Sequence, residues 1–197
     1  MPRAPKPRRS AARRWLSDPA QIEALASPLR QRILDRLEAR GPSSIRELAA
    51  ELGRRPDALY YHVRKLVELE LLAEVDSRPT GTTPEALFDL RERRWHIDYT
   101  PDGSARDEAL RKLTRQLLRQ AARDFEDGLG QADARGRGAR RNLWPLRLEA
   151  QLSAAELREV VGHLEAIVEI LRKPKRDRSG RLIALSWVLA PLSPSTD

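Results

Sequence analysis

One helical segment carries a set of side chains that could bind a polyanion. Its outward side would present Tyr60, Tyr61, Arg64 and Lys65, where a buried helix would place aliphatic residues. Arginine and lysine neutralise phosphates, and tyrosine hydroxyls can bond either phosphates or base edges. The pattern therefore predicts a helix that meets a nucleic acid. The alternative is that Tyr60 or Tyr61 packs against a neighbouring helix.

Two short helical patterns, separated by Gly53-Arg54-Arg55, would position this face. Their aliphatic sides consist of Ile45, Leu48, Ala49 and Leu52 in the first pattern, and of Leu59, Val63, Leu66 and Val67 in the second. The residues Ser44-Ile-Arg-Glu47 supply a capping box for the start of the first helix. Two strand-like runs, 72–75 and 86–90, then flank a polar loop at 77–84. This order predicts a winged helix-turn-helix.

Two more helices are expected ahead of this motif. Asp18-Pro19 and Ser27-Pro28 each place a capping residue before a proline at the first helical position. Gly41-Pro42 would end the second of these helices. Together with the two patterns above, they predict a compact helical unit.

Positive charge is concentrated at the N-terminus. The chain of 197 residues has a formal net charge of +8, and the basic residues Arg3, Lys6, Arg8, Arg9, Arg13 and Arg14 all precede the first acidic residue, Asp18. Prolines at positions 2, 5 and 7 disfavour a helix there. Residues 1–17 are therefore expected to form a disordered basic arm that follows phosphates, with an inert solubilising tail as the alternative. Because the rest of the chain is nearly balanced, DNA affinity would depend on a local patch plus the arm.

The sequence offers little for catalysis or metal binding. It contains no cysteine, Gly-rich phosphate loop, His-Glu-x-x-His pair or Gly-x-Ser-x-Gly elbow. His163 and its neighbouring glutamates lack the one-face clustering of helical metal sites. We therefore expect no enzymatic activity, no cofactor and no metal site. No apolar run approaches the roughly 20 residues that span a bilayer, which predicts a soluble cytoplasmic protein without a membrane partner.

The C-terminal half alternates strand and helix patterns. A strand-like run begins at Trp95, a helix follows Ser104, a half-buried strand is expected at 146–152, an amphipathic helix follows Ser153, and a last strand is expected at 182–190. The predicted class is mostly α with a small β component, in which a winged helix-turn-helix precedes a C-terminal α/β domain of strand-helix-strand-helix-strand order. The expected division is an arm at 1–17, the winged helix-turn-helix at 18–92 and the C-terminal domain at 93–197.

We expect the C-terminal domain to dimerise, to sense an effector, or both. The motivation is the apolar face of the helix at 154–172 together with Trp95, Trp144 and Trp187. Packing in a core is the alternative for these side chains, and it is favoured for Trp187. The sequence does not identify the effector.

Three segments carry a resemblance to a known family. Residues 24–34 contain Ser-Pro-Leu-Arg, residues 45–49 read Ile-Arg-Glu-Leu-Ala, and residues 59–66 read Leu-Tyr-Tyr-His-Val-Arg-Lys-Leu. With a wing after them, these segments resemble the ArsR-like winged-helix transcriptional regulators of prokaryotes over roughly residues 20 to 90. The resemblance implies a homodimer, usually a repressor, whose paired recognition helices enter successive major grooves of a roughly palindromic operator. Half-sites about one helical turn apart, ~34 Å, would follow from that symmetry.

The resemblance also implies which residues contact DNA. The family's base-reading and phosphate-binding positions correspond here to Arg54, Arg55, Asp57, Tyr60, Tyr61, Arg64, Lys65, Arg78 and Thr80. Arg64 could bond guanine O6 and N7 together, while Arg54 and Arg55 would lie beside a helix N-terminus, where phosphate is favoured. His62 borders the aliphatic side and is expected to be a hydrogen-bonded core histidine.

Two features depart from the family pattern. Many members sense metals through cysteine pairs on the first helix of the motif, and this chain has none. Its expected partners are therefore double-stranded DNA, a second copy of the chain and a small non-metal effector. Glu70 takes the place of the glycine that often ends the recognition helix. The competing interpretation is a protein-interaction module on a winged-helix scaffold, since fold alone does not establish DNA binding.

Overall fold

A computed structural model describes residues 14–79, 84–92, 95–173 and 180–193, apart from the side chain of Arg14. Its helices are α1 (Pro19–Leu25), α2 (Pro28–Arg40), α3 (Ile45–Leu52), α4 (Asp57–Glu68), α5 (Ala105–Leu129) and α6 (Ala154–Arg172). Its strands are β1 (Arg14–Leu16), β2 (Ser43–Ser44), β3 (Leu72–Arg78), β4 (Glu85–Leu90) and β5 (Trp95–Ile97). The expected class, mostly helical with a small sheet and an N-terminal helix-turn-helix, is confirmed.

The chain divides into two compact units by the contacts among its residues. One unit comprises residues 1–116 and 152–176, and the other comprises residues 117–151 and 177–197. Within the described ranges, every helix is too short or too polar to cross a bilayer. The domain boundaries expected at 17/18 and 92/93 stay a prediction.

Side-chain caps explain where several helices begin. The Asp18 carboxylate accepts a hydrogen bond from the Ala20 amide at 2.9 Å and caps α1. At α3, Ser44 Oγ accepts from the Glu47 amide while Glu47 Oε2 accepts from the Ser44 amide, so the predicted capping box is present. Ser27 precedes α2 as predicted but makes no side-chain capping bond. A side-chain cap such as that of Asp18 or Ser44 stabilises a helix by about 1 kcal/mol, so it helps to fix where the helix begins.

The first unit is built around an aliphatic core contributed mainly by α1 to α4. Its fully buried side chains include Ile22, Leu25, Ile33, Leu37, Leu48, Leu59, Val63, Leu66 and Leu72. The buried residues of α3 and α4 belong to the aliphatic sides that the spacing predicts. Burying one such side chain contributes roughly 1.5–3 kcal/mol, so this core determines which face of α4 is left outside.

A small antiparallel sheet packs on the same core, and its strands β3 and β4 follow α4 in the chain. Its strand order is β2–β4–β3, with Ser44 opposite Leu87 and Arg78 opposite Glu85. The predicted hairpin is therefore present, and β3 continues to Arg78, beyond the predicted end at Val75. We call β3, β4 and the connecting residues 79–84 the wing. Of the connecting residues, 80–83 lie outside the described residues.

The disordered arm was predicted to continue to residue 17, but the last part of that range forms a strand. Residues Arg14–Leu16 form β1, which pairs in parallel with β5 and places Leu16 opposite Ile97. The physical reason is that Leu16 is an apolar side chain that becomes buried in the core, and this outweighs the basic residues that precede it. The strand expected from Trp95 is confirmed as β5. Residues 1–13 lie outside the described residues, so the arm stays a prediction there.

Two strands expected in the C-terminal half are wrong. Residues 146–152 and 182–190 are described, and neither segment forms a strand. Alternation of apolar and polar residues marks a face that can be buried, but a strand also needs a neighbour to complete its hydrogen bonds. Neither segment has such a neighbour in the described chain, and their apolar side chains are exposed, Leu148 by 79%. Both helices expected in this half are present, α5 before the first of these segments and α6 between them.

Candidate nucleic-acid interface

The outward side of α4 is open to solvent. Tyr60 is 56% exposed, Tyr61 is 67% exposed, and the side chain of Arg64 is 85% exposed. Leu59, Val63 and Leu66 hold the opposite side of the helix in the core. We call Tyr60, Tyr61, Arg64 and Lys65 the exposed face of α4. The alternative that one tyrosine packs against a neighbouring helix is wrong.

Carboxylates lie beside the basic groups of this surface. Glu68 lies 3.6 Å from Nε of Arg64 and 3.3 Å from Nζ of Lys65, each distance taken to its nearer carboxylate oxygen. Asp57 lies 3.3 Å from Arg55. Exposed pairs of this kind stabilise a protein by only about 0–1 kcal/mol, so a phosphate can replace the carboxylate at small cost. The cations are thus available to a polyanion.

The start of α4 favours anions in a second way. Arg54 and Arg55 lie in the turn before the helix, and both are exposed. The residue at the N-cap position is Pro56, which makes no side-chain hydrogen bond to the first turn. Because the first amides of a helix carry partial positive charge, two arginines beside them create a site where phosphate is favoured.

His62 lies between the core and the exposed face of α4. Its ring is half-buried and meets the Tyr61 ring edge-on, with centroids 5.4 Å apart. Burial first, and the positive charge of Arg30 second, lower the pKa of His62 below its usual value. The expected hydrogen bond is not found at Nδ1, which is buried without a partner among the described residues. The neutral ring is therefore the form that fits this site.

Two wing positions, Arg78 and Thr80, were predicted to contact DNA. Arg78, at the end of β3, donates from Nη2 to both carboxylate oxygens of Glu47 at 2.8 Å. The backbone hydrogen bond from Ser44 and the guanidinium of Arg78 lower the pKa of Glu47, so this carboxylate is ionised at neutral pH. Thr80 lies outside the described residues.

Sequence patterns did not identify two residues that support this surface. Gln21 of α1 is buried, and its Nε2 donates to the carbonyl of Leu69 at 2.8 Å, just after α4 ends. Glu68 pairs with Arg64 and Lys65, and its spacing of four and three residues along a helix could have indicated this. No short-range pattern indicates the Gln21 bond, because the two residues are far apart in the chain.

Metal binding has no support among the described residues. No group of three or more histidine and acidic side chains in those ranges is placed to hold a metal ion. His163 and Glu159 form an exposed pair on α6, 3.7 Å apart, with no third ligand beside them among the described residues. The site is therefore one of cations, aromatic rings and backbone amides.

Comparisons with known proteins agree with this geometry for the N-terminal part of the chain. A family model described as a helix-turn-helix domain matches residues 25–75. An uncharacterized HTH-type transcriptional regulator of Methanocaldococcus jannaschii is 36% identical over 76 residues, which cover 39% of this chain and 78% of the relative. The crystal structure of RV1404 from Mycobacterium tuberculosis aligns with 76% of this chain and 81% of its own, at 22% identity and a TM-score of 0.28. A similarity that low supports no conclusion.

Proposed function

Because this chain belongs to the helix-turn-helix transcriptional regulators, we propose that it recognises double-stranded DNA in a sequence-specific way as an ArsR-like homodimeric repressor. The observation that carries the proposal is the exposed face of α4, where two tyrosines and two cations lie outside a helix whose other side is buried. A helix that serves only to fill a core has no reason to expose two large aromatic rings side by side.

Each residue of the proposed interface has a role that follows from its position. Arg64 reads guanine in the major groove, and Asp57 accepts from a cytosine amino group. Tyr60, Tyr61 and Lys65 bond phosphates or base edges beside them. Arg54 and Arg55 hold a phosphate at the start of α4. Thr80 of the wing is assigned to the backbone on the resemblance alone.

The dimer is proposed to form through the C-terminal half. Support comes from α6, on which Leu157, Val161, Ile170 and Leu171 are exposed although they are large and apolar. A lone chain that leaves such residues in water gains free energy by covering them. A twofold pair of α4 helices would then meet half-sites about one helical turn apart.

Control by a small non-metal effector is the remaining part of the proposal. An effector changes DNA binding only if it binds the competent and incompetent dimers with different affinity. We propose that the chain acts in the cytoplasm without catalysing a reaction, since the family it belongs to is one of transcriptional regulators. The competing function is a protein-interaction module on the same scaffold.

Selection of bound duplexes from a random library separates these functions. We expect a roughly palindromic consensus, because two related recognition helices read the same sequence in opposite directions. Arg64→Ala should relax the preference at one base pair of each half-site, a loss of about 1–3 kcal/mol in discrimination. Arg111→Ala, which removes an exposed arginine from α5, should leave the consensus unchanged. A library that yields no consensus would favour the interaction module.

A further inference from the structure

We infer that Arg78 orients the wing and does not itself contact DNA, because Glu47 anchors it to the helix-turn-helix. This inference rests on the proposed function, since the wing must be oriented toward a duplex for the anchor to matter. It replaces the phosphate-contact role that the resemblance implies for Arg78. In this account Arg78 and Glu47 are positioning residues.

The ion pair joins parts of the motif that are distant in the chain. One guanidinium nitrogen of Arg78 donates to both oxygens of Glu47 at 2.8 Å, and the two residues are 31 positions apart. Glu47 lies in the first turn of α3, whereas Arg78 is the last residue of β3. The sheet order β2–β4–β3 places β4 between β3 and the strand that leads into α3. The contact therefore closes across β4, the central strand of the three-stranded sheet.

Glu47 is itself held in place. Its Oε2 accepts from the Ser44 amide at 2.8 Å, and Ser44 is fully buried. Ser44 also pairs with Leu87 of β4, so the carboxylate is tied to the sheet and to the helix at once. An anchor attached to two rigid elements can fix the position of the end of β3 relative to α3.

The same geometry argues against a phosphate contact by Arg78. If Arg78 left Glu47 for a phosphate, the carboxylate would stay where the Ser44 amide holds it and would face the DNA backbone as an uncompensated anion. The carboxylate of Glu68 has no such tether among the described contacts, so Arg64 and Lys65 can exchange it for a base edge or a phosphate more easily. The two kinds of ion pair thus have different consequences for binding.

A double-mutant cycle on the full chain tests the inference, with a duplex from the library selection as the probe. The proteins are the wild type, Glu47→Gln, Arg78→Ala and the double variant. Glutamine can keep the capping box, so Glu47→Gln removes the ion pair and leaves the start of α3 intact. We expect each single variant to bind about 3- to 10-fold more weakly, and the double variant to bind no more weakly than the singles. The dependence of affinity on salt should not change, because no phosphate contact is lost.

The opposite pattern would overturn the inference. If Arg78 contacts a phosphate, Glu47→Gln frees it and tightens binding, while Arg78→Ala lowers the salt slope by about 1. Glu85→Gln is the matched control, since Glu85 lies opposite Arg78 in register but forms no described ion pair with it. Its affinity should stay close to that of the wild type, as should that of Arg78→Lys, which can keep the pair.

Hydrogen exchange without DNA gives an independent readout. Amides of β3 and β4 near Arg78 should exchange faster in Glu47→Gln and Arg78→Ala than in Glu85→Gln, because only the first two release the wing. Equal exchange in all three variants would count against the anchor. A wild-type protein that binds no duplex would overturn the proposed function, whereas additive losses in a protein that does bind would overturn only the role of Arg78.

Discussion

Glu68 sets how readily two cations of α4, Arg64 and Lys65, can reach DNA. It pairs with both Arg64 and Lys65, so the unbound helix carries two positive charges and one negative charge within one turn. The pairs are exposed and therefore weak, and DNA phosphates can compete with a single carboxylate. The pair of Arg78 and Glu47 is exposed to a similar degree, but its two hydrogen bonds are 2.8 Å long and the Ser44 amide holds its carboxylate in place. The partner of each cation therefore matters as much as its position on the surface.

His62 should make the stability of the protein depend on pH. Burial and Arg30 lower its pKa in the folded state, so the unfolded chain takes up a proton at higher pH than the folded chain does. The free energy of unfolding should be independent of this group above about pH 6.5 and should fall as the pH drops below that value. Chemical unfolding of the wild type and of His62→Gln at several pH values measures the difference.

The control for this prediction is His163, the other histidine that lies in a helix of the described chain. His163→Gln removes a side chain that is three-quarters exposed on α6. The fall in stability below pH 6.5 should persist in His163→Gln and shrink in His62→Gln. A wild-type profile that His62→Gln leaves unaltered would contradict the assignment.

At the scale of elements, residues close together in the chain explain where the helices lie. Most of the wrong predictions concern strands, because strands pair with residues that are distant in the chain. The caps at Asp18 and Ser44 and the aliphatic sides of α3 and α4 were predictable, because each depends on residues within a few positions. The parallel pairing of β1 with β5 was not, since nothing local indicates that Leu16 lies opposite Ile97. For the same reason, alternation at 146–152 predicted a strand for which the described chain provides no partner.

Glu70 is an element-level feature that can be tested by stability. It follows α4 with a φ of 56°, a left-handed conformation that suits glycine better than glutamate. Relief of this strain should make Glu70→Gly more stable by about 0.5–1 kcal/mol, after the larger backbone entropy of glycine in the unfolded chain is included. Urea unfolding measures the change.

Glu70→Ala separates the backbone effect from the loss of charge. This variant also removes the exposed contact between Glu70 and Arg91, 3.5 Å apart, but it keeps a Cβ in the left-handed conformation. We expect it to be no more stable than the wild type. If alanine stabilised the protein as much as glycine, strain at this position would not be the cause.

At the scale of the whole molecule, the sequence predicted the N-terminal part better than the C-terminal part. The family model matches residues 25–75, from the end of α1 into β3, and there the sequence predicted both the helices and the exposed side chains of α4. In the C-terminal half it predicted α5 and α6 but not how their apolar residues are covered, since α6 has no buried residue in the single chain. Contacts of the proposed dimer would depend on a second copy, and the order of residues in one chain does not specify them.

The salt dependence of duplex binding tests the central claim most directly. Arg64 and Lys65 share Glu68 on α4, and Arg111 and Arg115 share Glu108 on α5, so the two pairs are matched in charge and partner. Replacing both Arg64 and Lys65 by alanine should lower the slope of log affinity against log salt by about 1, because Lys65 contacts a phosphate whereas Arg64 reads a base. Replacing Arg111 and Arg115 should leave the slope as in the wild type. Equal slopes in all three proteins, or a loss confined to the α5 variant, would contradict the claim that the exposed face of α4 binds DNA.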